Sequence, residues 1–139
     1  MIRSARCQCG KLTVQASGEP AGIVACSCTE CQRRTGSVFG VGAYYPEAQV
    51  TVSGDAREYV RMADSGAPFH TFFCPTCGTS LYWRSARNPG TLGVAVGAFA
   101  DPKFPAPHRS VFEQSRHEWV LLDPARPAFF RGRDSQQIR

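Results

Sequence analysis

The chain has 139 residues, 42% of them hydrophobic and 19% charged, with a formal net charge of +5. This length suits one domain, and this composition is typical of a globular protein and not of a disordered one. The longest small and apolar run, residues 92–100, is much shorter than the roughly 20 residues that a membrane-spanning helix needs, so we expect no membrane partner. The basic start, residues 1–6, leads into cysteines instead of the apolar stretch of a signal peptide, so we expect a cytoplasmic protein.

Short strands separated by turns dominate the predicted elements. The first strand is expected over residues 12–16, where apolar and polar residues alternate, and a short helix over residues 29–35 is stopped by Gly36. Further strands are predicted at residues 39–45, 50–53, 58–62, 69–73, 80–83, 92–98 and 108–112. This pattern predicts a mainly β fold of small antiparallel sheets with one helical turn, forming a single domain over residues 1–130. The polar tail over residues 131–139 is expected to fray.

Seven cysteines fall into three groups, which begin at residues 7, 26 and 74. Their number is odd, and disulfides are rare in a reducing cytosol, where such spacing indicates a metal site or catalysis. Cys74-Pro75-Thr76-Cys77-Gly78 is a zinc-knuckle sequence, but it supplies only half of a tetrahedral zinc site. Cys7 and Cys9 are the natural second half, provided that Gly10 lets the chain turn, because both side chains must reach one ion. We therefore predict a closed structural zinc site; the alternatives are buried apolar cysteines or a redox pair.

The middle group, Cys26, Cys28 and Cys31, predicts a second zinc site of a different kind. Three protein ligands and one open position are typical of catalytic zinc. Three thiolates favour the capture of an incoming thiol, because a thiol that coordinates zinc loses its proton. The alternatives are a closed site completed by His70, His108 or His117, or no second metal. We thus expect two zinc ions per chain.

These motifs also carry a family resemblance. The chain contains Cys7-x-Cys9-Gly10, then Cys26-x-Cys28-x-x-Cys31, then Cys74-Pro75-x-Cys77-Gly78. This arrangement resembles the glutathione-dependent formaldehyde-activating enzyme family, which also contains centromere protein V. The resemblance implies a β-tent-like fold, with a structural zinc and a second zinc at the two predicted sites. It also implies a carbon–sulfur lyase-like activity that joins glutathione and formaldehyde into S-(hydroxymethyl)glutathione.

Residues after the third cysteine of the middle group are candidate substrate ligands. Arg33 and Arg34 can bind the carboxylates of a small thiol such as glutathione, and Ser37 can donate to the oxygen of an aldehyde. The alternative interpretation of the chain is a non-catalytic zinc-binding module for a protein or nucleic acid. The arginines are dispersed and form no basic run, so the sequence does not favour a nucleic-acid partner. A homo-oligomer is compatible with the sequence.

Overall fold

Strands dominate the computed structural model, which describes residues 1–139 and confirms the mainly β fold. The only α-helix, α1, spans Thr29–Thr35, as predicted, and short 3-10 turns lie at Glu47–Gln49, Val96–Phe99 and Glu113–Ser115. The ten strands are β1 (Ile2–Arg6), β2 (Thr13–Ser17), β3 (Gly22–Cys26), β4 (Gly40–Pro46), β5 (Val50–Ser53), β6 (Arg57–Met62), β7 (Pro68–Phe73), β8 (Ser80–Ser85), β9 (Thr91–Ala95) and β10 (Arg109–Val111). No helix in the chain has both the length and the apolar character needed to span a bilayer.

The chain divides into two compact units that alternate along the sequence. The first unit comprises residues 1–21 and 43–104, and the second comprises residues 22–42 and 105–139. The single domain over residues 1–130 stays a prediction. The tail is held more firmly than expected, because the carbonyl of Arg139 accepts from the N–H of Ala128 at 3.1 Å and that of Gln136 accepts from the N–H of Phe130 at 2.9 Å.

The first unit contains antiparallel strand pairs. In one three-stranded sheet β2 lies between β1 and β5, and its alternation buries Val14 and Ala16 while Gln15 stays exposed. Another run of strands follows the order β9-β8-β7-β6, with β6 at its end. Fully buried side chains such as Leu81 and Val94 form the apolar core of this unit.

The second unit is built around β3, whose central residues Ile23, Val24 and Ala25 are all buried. Strand β10 pairs with β3 in parallel, with Ser110 opposite Ala25. The expected antiparallel arrangement therefore does not extend to this pair. Because the two strands are distant in sequence, no hairpin turn imposes an antiparallel direction on them.

Candidate metal sites

The four-cysteine cluster comprises Cys7, Cys9, Cys74 and Cys77, which lie in the first unit just after β1 and β7. All four sulfur atoms lie within 4.8 Å of one another. The sulfur of Cys9 is 3.6 Å from that of Cys7 and 3.7 Å from that of Cys74. The structure therefore brings together the four residues predicted for the closed site, although they come from two separate segments of the first unit's sequence.

Two similar turns present these sulfur atoms. The carbonyl of Cys7 accepts from the N–H of Gly10 at 3.1 Å, and the carbonyl of Cys74 accepts from the N–H of Gly78 at 2.8 Å. Both glycines have positive φ, +82° and +80°, which glycine adopts without strain. The turn at Gly10 brings Cys9 to the same side as Cys7, as the sequence required. In addition, the N–H of Leu12 donates to the sulfur of Cys7 at 3.2 Å.

Thr79 links the two turns, a role that the cysteine spacing alone does not predict. Its Oγ1 accepts from the backbone N–H of Gln8 at 3.1 Å and lies 3.3 Å from the sulfur of Cys77. Hydrogen bonds from the Thr79 side chain and backbone lower the pKa of Cys77 to about 5, so this sulfur is poised as a thiolate. A hydroxyl that follows a knuckle glycine was the only sequence signal for this role.

The three-cysteine cluster comprises Cys26, Cys28 and Cys31 in the second unit, with sulfur atoms again within 4.8 Å of one another. Cys26 ends β3, Cys28 caps the N-terminus of α1, and Cys31 lies in that helix. The sulfur of Cys28 accepts from the N–H of Cys31 at 3.2 Å, so the cap itself fixes two of the three donors. No histidine, aspartate or glutamate joins this group as a fourth donor.

The electrostatics of the three-cysteine cluster are those of a crowded anionic site. Hydrogen bonds from Cys26 and Cys28 lower the pKa of Cys31 to about 3, and the positive charge of Arg34 acts in the same direction. Hydrogen bonding with Cys28 and Cys31 instead raises the pKa of Cys26, with burial adding to the effect. One thiolate is thus favoured, and full ionisation of three adjacent thiols requires a cation among them.

Gln32 holds the peptide between Cys26 and Cys28, and it is a second residue whose role the cysteine spacing does not predict. Its Nε2 donates to the carbonyl of Ser27 at 2.9 Å and to that of Ser115 at 3.1 Å. The hydroxyl of Ser115 also donates to the Ser27 carbonyl, at 2.8 Å. Because Ser27 separates two of the cysteines, these contacts fix the peptide between two sulfur donors. Nothing in the sequence alone predicts a contact with Ser115, which is distant along the chain.

The predicted substrate residues lie in three different surroundings. Arg34 interacts with the sulfur of Cys31, and a Cβ added at Gly40 would lie 2.7 Å from its Nη2, so Gly40 leaves room for this side chain. Arg33 is 71% exposed and pairs with Glu30, whose Oε1 is 2.7 Å from Nη1. Ser37 is exposed, and its backbone N–H donates to the hydroxyl of Thr35 at 3.0 Å. The structure therefore brings only Arg34 against the cluster.

The histidines considered as further ligands have other partners. His108 Nδ1 accepts from the N–H of Ile23 at 3.3 Å, and His70 Nδ1 is 2.8 Å from Oε1 of Glu58. His117 Nε2 is 3.2 Å from Oε1 of Gln32. None of the three belongs to either sulfur cluster.

The donor chemistry of both clusters fits zinc. Thiolate sulfur is the ligand type that zinc and other soft metals take in tetrahedral sites, and four converging sulfurs make a closed set. The second set has three sulfurs, which leaves a fourth position for another ligand. The mutual proximity of the three sulfurs gives a physical reason for a cation among them.

Fold and site together define a small, mainly β protein with two cysteine clusters that could hold metal ions. A family model described as glutathione-dependent formaldehyde-activating enzyme matches residues 2–115, and the chain belongs to this family.

Curated relatives agree with this assignment, and one solved structure is similar in fold. Proteins of Fusarium vanettenii and Aspergillus flavus, whose names assign them provisionally to the glutathione-dependent formaldehyde-activating enzymes, are 28% and 31% identical over 119 residues. The matches cover 78% and 80% of this chain but only 63% and 62% of the relatives, so the chain spans less than two thirds of their length. A crystal structure of a Rhodobacter sphaeroides protein is similar in fold, with a TM-score of 0.54 and 21% identity; the match covers 73% of this chain and 90% of that one.

Proposed function

We propose that this chain is a zinc-dependent, carbon–sulfur lyase-like enzyme that handles glutathione, or a similar thiol, and its formaldehyde adduct. The observation that carries the proposal is the group of three converging sulfurs at Cys26, Cys28 and Cys31, with no fourth protein donor. The family and the names of the curated relatives supply the two reactants. In the forward direction a C–S bond forms between the thiol and formaldehyde, and the thiol proton ends on the new hydroxyl.

Cys26, Cys28 and Cys31 would hold the catalytic zinc, while Cys7, Cys9, Cys74 and Cys77 would hold a structural one. When bound at the trio, zinc would supply a Lewis-acidic cation that lowers the pKa of an incoming thiol. The chain's own contribution is orientation, because the cap at Cys28 and the amide of Gln32 fix the three donors before substrate arrives.

Charged groups beside the cluster suit an anionic thiol. The guanidinium of Arg34 already lies against a sulfur, so its positive charge favours a further thiolate nearby. Arg33 keeps a largely exposed side chain that can bind a substrate carboxylate at the expense of its surface pair with Glu30. We assign the exposed hydroxyl of Ser37 to the oxygen of the aldehyde.

The rate at which glutathione and its formaldehyde adduct interconvert tests this proposal. Exchange spectroscopy with ¹³C-formaldehyde follows the uncatalysed exchange and its acceleration by zinc-loaded protein. We expect acceleration by the wild type and a loss of at least about tenfold in Cys31→Ser, because the donor set is broken. Asp64→Asn, which alters an exposed carboxylate in the first unit, is the matched control and should keep the wild-type rate. Protein that carries two zinc ions yet accelerates exchange with neither glutathione nor free cysteine would overturn the proposal.

A further inference from the structure

Strand β6 is an edge strand with an unusual concentration of exposed apolar side chains. It ends its sheet and pairs with β7 along one side only. Tyr59, Val60 and Met62 are 61%, 47% and 63% exposed. Most edge strands avoid such a surface, because free N–H and C=O groups beside apolar side chains form a template for another strand.

The hairpin after β6 shows which backbone groups are free. The N–H of Ala63 donates to the carbonyl of Ala67 on the β7 side at 2.9 Å. Hydrogen-bonding direction alternates along an antiparallel strand, so Tyr59 and Arg61 also direct their backbone groups toward β7. The N–H and C=O groups of Glu58, Val60 and Met62 therefore point away from the sheet.

We propose that two copies of this chain associate through β6, forming an antiparallel strand pair centred on Val60. In this register Val60 faces its own copy and Glu58 faces Met62 on either side. These are the three positions whose backbone groups point outward, so each facing pair can exchange both of its N–H···O bonds. The two sheets become continuous, and the contact has the twofold symmetry that is commonest among homodimers.

Side chains support the same register. Tyr59 faces Arg61 of the second copy at a non-hydrogen-bonded pair, where side chains approach most closely. Arg61 already lies over the ring of Phe69, with its guanidinium carbon 4.7 Å from the ring centroid. The second copy's tyrosine can cover the other face of this guanidinium, so that a cation lies between two aromatic rings.

Charge opposes the neighbouring symmetric registers. Facing residues of an antiparallel pair lie on the same side of the sheet, so a symmetric register must be centred on a residue. A pair centred on Tyr59 would place Arg57 opposite Arg61, and one centred on Arg61 would place that arginine opposite itself. Like charges directly opposite are destabilising, and of these three centres only Val60 avoids them.

The contact is small, and we expect a reversible dimer with a dissociation constant of about 10 to 100 μM. Sedimentation velocity over a concentration series should show a shift from the 15.2 kDa chain toward twice that mass. Val60→Lys places two ammonium groups opposite each other and should leave a monomer at every concentration. Leu121→Lys is the matched control, because Leu121 is an 89% exposed leucine outside β6, and it should dimerise like the wild type.

A second variant distinguishes loss of the dimer from misfolding, and a second measurement distinguishes the β6 dimer from a dimer formed by another surface. Val60→Pro removes an outward N–H and leaves every β6–β7 bond intact, as edge strands permit, and it should also be monomeric. In the wild type, exchange of the Glu58, Val60 and Met62 amides should slow by about tenfold at high concentration, while Tyr59 and Arg61 stay unchanged. A monomer at about 1 mM would overturn the proposal, as would a dimer whose three outward amides exchange equally fast at all concentrations.

Discussion

At the scale of single residues, the three-cysteine cluster depends on neighbours that are not ligands. Arg34 provides a positive charge beside Cys31, and Gly40 leaves the space that this side chain occupies. Gln32 fixes the peptide at Ser27 through its amide. Groups in this position orient the donors of metal sites, and their loss typically costs 10- to 100-fold in metal affinity.

Arg34→Gln should raise the pKa of Cys31, because it removes a positive charge that stabilises the thiolate. In protein whose trio is metal-free, the pH midpoint of Cys31 alkylation should rise by about one unit or more. Peptide-resolved mass spectrometry can follow this sulfur separately from the other six. Arg33→Gln is the matched control, since Arg33 pairs with exposed Glu30 and should leave the midpoint unchanged. An equal shift in both variants would show that net charge alone is responsible.

Gly40→Ala offers an independent test of the contact between Arg34 and the sulfur of Cys31. The new methyl group would approach Nη2 of Arg34, which is the end of a flexible side chain and can move. We expect the fold to persist, with a change in thermal midpoint of less than about 5 °C. The pH midpoint of Cys31 alkylation should rise, as it should in Arg34→Gln. An unchanged pH midpoint would contradict the role assigned to Gly40.

Gln32→Glu should weaken metal binding at the trio by about 10- to 100-fold. The carboxylate keeps the shape of the amide but lacks the N–H donors that reach Ser27 and Ser115. Competition with a chelator measures the loss, and the metal at the four-cysteine cluster serves as an internal reference. Retention of wild-type affinity would mean that the peptide at Ser27 needs no such support.

At the scale of elements, the sequence predicted the strands with alternating or aromatic-rich patterns to within a few residues. It missed β3, whose apolar run is buried along its whole centre and so does not alternate. It also missed β1, where an exposed Ile2 and a half-buried Arg3 reverse the expected alternation. Residues 92–98 were predicted as one strand, but β9 ends at Ala95 and a 3-10 turn follows over Val96–Phe99.

The sequence likewise predicted only part of the candidate metal sites. Local spacing was sufficient for the three-cysteine cluster, for each half of the four-cysteine cluster and for the stop of α1 at Gly36, because these are short-range structures. The two halves were joined in the prediction only because a tetrahedral zinc needs four ligands. The contacts of Thr79 with Gln8 and of Gln32 with Ser115 join residues distant in sequence, and only the folded chain reveals them.

The pairing of β8 with β9 depends on a glycine. Gly93 lies opposite Trp83, and a Cβ there would lie 2.2 Å from the indole nitrogen. Because Trp83 is buried, Gly93→Ala should lower the free energy of unfolding by about 1 to 3 kcal/mol. Chemical denaturation measures the change, and Gly22→Ala, which meets no atom within 4 Å, is the control. Equal stability of the two variants would contradict the close approach.

At the scale of the whole molecule, the two clusters should differ in what they contribute. The four-cysteine cluster joins residue 9 to residue 74, so metal affinity there acts as folding free energy. A structural zinc contributes about 10–16 kcal/mol, which is comparable with the entire stability of a typical domain. Cys74→Ser should therefore unfold the chain, whereas Cys28→Ser should lose one metal and keep its thermal midpoint within about 5 °C. Equal unfolding in both variants would contradict this division.

Cadmium-113 NMR tests the central claim, an open thiol-accepting position at the three-cysteine cluster, most directly. Cadmium replaces zinc at thiolate sites, and the two clusters should give separate resonances because they have different numbers of sulfur ligands. When glutathione is added, one resonance should move in the direction of greater sulfur coordination and the other should stay fixed. If saturating glutathione leaves both resonances unmoved, the trio does not accept a thiol.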